Sequence, residues 1–164
     1  VDLTYIRAAV VVGSGSESFQ TIYWLVRRLP AMVTPRWTSI RTQPIAIYDV
    51  VEYLARARDL EGSREIEIGG PDVTTYGGVM DEMARAMDRR PPLRIGVPLL
   101  TPKLSSLWIG LVTPVDTGVA RPLVEGLSTE TVVRDPSGME LFDLEPIGLA
   151  EAMKRAVQEL ESGA

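Results

Sequence analysis

Short β-branched runs alternate along this chain with segments of helical period. Residues 4–12 (TYIRAAVVV) are apolar except for Arg7 and rich in valine and isoleucine, which predicts a strand covered on both faces, as in a parallel sheet. After a Gly/Ser turn, Ser18 is placed to cap a helix. Phe19, Ile22, Tyr23, Val26 and Leu29 then share one face until Pro30 discourages continuation. Residues 31–43 have no clean period. Pro44 to Ile47 predicts a short strand, and Asp49 with Glu52 has the spacing of a capping box, opening a helix with Val50, Val51, Leu54 and Ala57 inward.

Glu65 to Ile68 (EIEI) alternates strictly and stops at Gly69-Gly70-Pro71, the pattern of a short strand and turn. Thr75 can cap a helix to about Arg89, with a start loosened by Gly77 and Gly78. Its acids Asp81 and Glu82 are expected on a solvent face. Leu93 to Val97 predicts another strand, and Thr101-Pro102 a helix start that puts Leu104, Leu107, Trp108 and Leu111 on one face, as core or as a lid over an apolar ligand. Val119 to Leu127 reads as helical, Thr131 to Arg134 as a strand, and Leu149 to about Leu160 as an amphipathic helix. Alternation of strands and helices makes the class α/β.

At 164 residues the expectation is a single domain over 1–164 with a core of its own. The first strand pattern begins by Thr4, almost at the first residue, which is expected of a piece of something longer. The chain contains no cysteine and no histidine, so thiol nucleophiles, Cys or His metal sites and Ser-His arrangements are excluded; no metal site and no catalytic residue is assigned. A net charge of −5 with scattered cations argues against an extended nucleic-acid surface and favours a small-molecule or protein partner. No apolar run approaches the roughly 18 to 20 residues of a membrane span, and a cytoplasmic location is expected.

Two loops are candidate chemistry. Gly13-Ser14-Gly15 starts like a dinucleotide turn, but the third glycine of G-x-G-x-x-G is replaced by Ser18 and no acid closes a second strand about twenty residues on. An ordinary strand-to-helix turn is the better reading. Arg36, Trp37, Arg41 and Gln43 place guanidinium, indole and amide groups in an irregular stretch, suited to an anionic or aromatic ligand group, or else to a core tryptophan with solvated arginines. Tyr5, Tyr23, Tyr48 and Tyr53 have no lysine four positions on to lower a phenol pKa.

TYIRAAVVVGSGSESF, TPRWTSIRTQPIAIYDVVEYL and IGGPDVTTY, with VPLLTPKLSSLWIGLVTPV and ARPLVEGL after them, resemble in order and spacing the C-terminal half of the extended and atypical short-chain dehydrogenase/reductase proteins, above all the NmrA-like, nucleoside-diphosphate-sugar epimerase-like members. The resemblance implies a C-terminal portion of a Rossmann-type sheet, with Thr4 to Val12 and Glu65 to Ile68 as two parallel strands, plus a smaller substrate-binding α/β subdomain. It implies NAD or NADP as cofactor of the full-length protein, with Ala8, Val10 and Val11 as cofactor contacts and Arg36, Trp37, Arg41 and Gln43 on the substrate side. The family's glycine-rich turn, ribose-binding acid and Tyr-Lys pair would precede the first residue. The expected partner is therefore the missing N-terminal half or, in a non-catalytic assembly module, another copy.

Overall fold

The computed structural model describes residues 2–34, 36–96 and 129–163. The first apolar run forms β1 (Thr4–Ala8), bends at residues 9 and 10, and continues as β2 (Val11–Val12). β1 pairs in parallel with β6 (Arg64–Ile68), Thr4 opposite Arg64 and Ala8 opposite Ile68, and β2 pairs in parallel with β5 (Ile45–Ala46). Among the described residues this is the mixed α/β, partly Rossmann-like arrangement the sequence predicts. One expectation fails: β1 is not covered on both faces, since Tyr5 is 55% exposed and Arg7 lies beside it on the open face.

α1 (Glu17–Arg28) is capped by Ser16, whose Oγ accepts the Phe19 N–H, and not by Ser18, because the helix begins two residues earlier than the apolar pattern implies. The aperiodic stretch 31–43 contains β3 (Ala31–Thr34), a short 3-10 helix (Arg36–Ser39) and β4 (Arg41–Thr42). β3 runs parallel to β8 (Leu93–Gly96), and β4 antiparallel to β7 (Thr74–Thr75). α3 (Tyr76–Ala86) is capped by Thr75 through the Gly78 N–H. It stops before Arg89 because Asp88 adopts a left-handed backbone, φ 54°. Its glycine-containing start is held, since Arg94 donates to the Gly77 carbonyl at 2.6 Å and grips Asp81 with both terminal nitrogens, which removes Asp81 from the solvent face. The predicted elements at 101–112 and 119–127 lie outside the described residues.

α2 (Ile47–Ala57) corrects the sequence reading most. No side chain caps it; Asp49 lies inside the helix, buried, and accepts the Ile147 N–H at 3.0 Å. The inward line is Asp49, Tyr53 and Ala57, one residue in each turn, with Val50 partly covered; Val51 and Leu54 are 57% and 55% exposed. Tyr53 and Ala57 pack with Ile66, Ile68 and Phe142 on one side of the β1–β6 pair. A second core joins α1, α3 and α4 (Leu149–Ser162) around Phe19, Leu25, Met80, Met83 and Met153. α4 is anchored at its start by Asp72, which accepts the Leu149 N–H at 2.7 Å.

Tyr53 is fully buried, yet its hydroxyl finds no partner among the described residues. Tyr53→Phe is therefore expected to be neutral or to stabilise by up to about 1 kcal/mol in urea unfolding, because an unpaired buried hydroxyl is costly. A loss of stability would show that a bound water satisfies it.

Candidate substrate-side cleft

β1 and β6 end side by side, and ligands of parallel sheets bind outside the carboxyl ends of adjacent strands. There a cleft of about 160 Å³ is lined by Arg7, Ala8, Ala9, Glu67, Ile68 and residues 129–134. Strand alternation puts Arg7, Glu65 and Glu67 on one face, and the Arg7 guanidinium reaches Glu65 at 2.6 Å and Glu67 at 3.4 Å. The Glu65 pair is solvent-exposed and Arg7 is exposed in both, so they orient Arg7 more than they stabilise the fold, although Glu67 itself is half-covered.

Residues 129–135 cross this end of the sheet as a strap. The predicted strand at 131–134 is reduced to one parallel bridge, Thr131 with the buried Thr42, whose hydroxyls lie 2.7 Å apart. Polar clips hold the remainder. Gln43 donates from Nε2 to the Gly70 carbonyl at 2.8 Å and accepts the Val133 N–H at 3.1 Å, while its own N–H donates to the Thr131 carbonyl. Glu67 Oε2 accepts the N–H groups of Arg134 and Asp135, which pulls its carboxyl below the usual range. Since the folded-state pKa is depressed, this attachment contributes stability above the unfolded pKa of about 4.3, and that stability fades as pH falls through the folded value. The urea midpoint of Glu67→Gln is expected below that of the wild type at pH 7, with the gap closing below about pH 4; an equal gap at both pH values would deny the carboxylate this role.

Of the residues assigned to a cofactor, Ala8 lines the cleft, and Val10 and Val11 lie half-buried just beyond it, Val10 accepting the Ile45 N–H through its carbonyl. Of those assigned to substrate, Gln43 and Arg41 join the strap, Arg41 by accepting the Thr131 N–H with its carbonyl. Trp37 goes elsewhere: its ring meets Tyr76 edge-on at 6.0 Å, against the start of α3, and Arg36 begins the same 3-10 helix. Sequence reading missed Arg7, Glu67 and the strap. A lone arginine in an apolar strand and two glutamates on one face of EIEI were the available signals.

The Gly13-Ser14-Gly15 turn is arranged for packing. A Cβ at Gly13 would lie 2.9 Å from the Ile47 side chain, and the Ser14 hydroxyl donates to Glu159, a carboxylate that would repel a phosphate. At the end of β1, the small side chains of Ala8 and Ala9 line the cleft instead.

No family model matches the chain, and no curated protein does. Solved structures do. The human epimerase family protein SDR39U1 with NADPH superposes with a TM-score of 0.68 at 17% identity, over 98% of this chain and 50% of that one. Thermus thermophilus UDP-glucose 4-epimerase with NAD gives 0.64 at 14% identity, over 100% and 48%. The Thermotoga maritima UDP-glucose 4-epimerase with UDP-glucose gives 0.62 at 16%, over 98% and 46%. The chain thus has the fold of part of these proteins and spans about half their length.

Proposed function

We propose, from a fold shared with part of the nucleotide-sugar epimerases, that this chain is the substrate-side portion of an NAD(P)-dependent epimerase or reductase acting on a nucleoside-diphosphate sugar. The observation that carries the reading is the cleft outside the carboxyl ends of β1 and β6, with Arg7 held at its rim and the strap closing one side. In this reading Ala8, Val10 and Val11 shape the wall beside the nicotinamide, which supplies the hydride chemistry when bound, and Arg7 faces the anionic part of the substrate. Arg41 and Gln43 hold the strap in place, and Trp37 sets the loop behind it. No residue of this chain is assigned to proton transfer, and residues 1–164 are expected to show no hydride transfer alone.

Calorimetric titration of the full gene product with NADH, NADPH and UDP-glucose tests the proposal. A nicotinamide nucleotide is expected to bind, and Arg7→Ala is expected to weaken UDP-glucose about tenfold while leaving the nicotinamide nucleotide unchanged. Binding of neither class of ligand would overturn the reading, as would hydride transfer by residues 1–164 alone. A second reading, a non-catalytic assembly module, draws on the side of β1 with which no described strand pairs; a dimer that binds no nucleotide would favour it.

A further inference from the structure

Four of the chain's 17 basic residues meet where α1 and α3 end. Arg27 and Arg28 close α1, while Arg89 and Arg90 follow α3 beyond the left-handed residue Asp88. Arg89 brings the two pairs together, since its Nη1 donates to the carbonyls of Val26 and Arg27. All four arginines are exposed. The guanidinium carbons of Arg27 and Arg28 lie 5.7 and 4.8 Å from the ring centre of the half-buried Trp24, so one indole holds two cations in place. Glu161 pairs with Arg27 at 3.8 Å while also accepting the Tyr23 hydroxyl. Cations suit helix ends, and Arg89 serves α1 in this way, but Arg90 stands beyond either helix.

From this corner the two segments continue side by side. The Leu93 N–H donates to the Pro30 carbonyl at 3.0 Å, and β3 and β8 then pair in parallel with Ala31 opposite Leu93. Alternation sends Arg94 inward to Asp81 and Met32 into the core, which leaves Leu93 and Ile95 on the outer face. These two are 65% and 56% exposed, and Pro91 before them is exposed as well. A basic corner thus adjoins an apolar strip, and no residue of either lines the cleft.

We infer that corner and strip form a docking surface for an acidic, apolar segment of a partner protein, with its carboxylates on Arg28 and Arg90 and its apolar side chains on Leu93 and Ile95. Charge complementarity selects this occupant. The net charge is −5 even with four cations gathered here, so the rest of the chain is more acidic than that figure conveys. A nucleic acid or an anionic bilayer extends past the corner and is repelled by the acidic remainder, whereas a short segment meets the corner alone. A guanidinium lying over an indole still bonds through its N–H edges, which suit a carboxylate. Exposed ion pairs contribute little by themselves, and burial of Leu93 and Ile95 supplies the rest of the affinity. The surface is separate from the cleft, so the failure of one reading leaves the other standing.

The full gene product is titrated at physiological salt with a fluorescent peptide carrying a run of glutamates followed by leucines, and binding is read by anisotropy. A Kd of about 10 μM is expected, with no binding of the same peptide once lysines replace the glutamates. Combining Arg28→Glu with Arg90→Glu is expected to weaken binding at least about tenfold and Leu93→Ser about fivefold, whereas Arg58→Glu, at an 83% exposed position on α2's end, changes it less than about twofold. All of these positions are exposed, so urea midpoints close to the wild type's are expected. An affinity unchanged by the charge reversal would overturn the inference, as would a peptide that does not bind below about 1 mM. In the second case phosphatidylserine vesicles, a DNA duplex and the molar mass by light scattering, each compared between wild type and the reversed variant, show whether a lipid, a nucleic acid or a second copy takes the surface instead.

Discussion

Gly70→Ala is expected to cost about 3 kcal/mol of folding stability, the largest effect of any substitution near the cleft. An alanine Cβ at this position would fall on the Pro44 carbonyl oxygen, which already accepts the Gly70 N–H at 3.0 Å. The obstacle is backbone on both sides, so no side chain can turn aside. Pro44 cannot retreat, since Ile45 and Ala46 pair with β2 and lead directly into α2. Relief must come from separating the end of β6 from β5. Equilibrium urea unfolding checks this, and a loss under about 0.5 kcal/mol would show that the two segments slide freely.

Gln43→Ala is expected to cost about 2 kcal/mol, and to open the cleft as well. The substitution leaves the Gly70 carbonyl and the Val133 N–H without their partner, and frees the strap over the ends of β1 and β6. Gln43→Glu separates the two halves of the clip. A carboxylate still accepts from Val133 but faces the Gly70 carbonyl with no proton, so the variant is expected to be as unstable as alanine at pH 7 and to recover in part once acid protonates it. Amide exchange at residues 131–135 should quicken in both variants at pH 7; unchanged exchange would mean that Thr42 and Glu67 suffice to hold the strap.

Parts of this molecule are legible in the sequence for definite reasons. β6, α1, α3 and α4 bury apolar residues at a regular period that is visible in the chain, and β1 is marked by its β-branched apolar run although none of its residues is fully buried. α2 misleads because its most apolar flank is not its buried one: the helix buries Asp49 and leaves Val51 and Leu54 in solvent. Apolar pattern says that a surface is to be covered, not by what. β3 and β4 are four and two residues long and owe their form to β8 and β7, far along the chain, so no local pattern marks them. The cleft divides in the same way. Arg7 and Glu67 can be placed on one face from alternation alone, but the strap is fixed by backbone N–H groups accepted by Gln43 and Glu67, which leaves no trace in residue type at 131–135. Trp37 shows the converse, a residue suited to a ligand that the fold uses as a wedge against Tyr76.

The second core has a bearing on how the chain reaches its folded state. α1 lies near the beginning of the chain and α3 in the middle, yet Leu149, Ala152, Met153, Ala156 and Val157 of α4 complete the apolar interior between them. The hydroxyls of Ser14 and Tyr23 close the arrangement on Glu159 and Glu161, more than 130 residues away. During synthesis, α1 and α3 must therefore wait with apolar surface exposed until residues 149–157 have left the ribosome. Contacts of such separation slow folding and lengthen exposure to aggregation. Premature termination before α4 should thus yield an insoluble product.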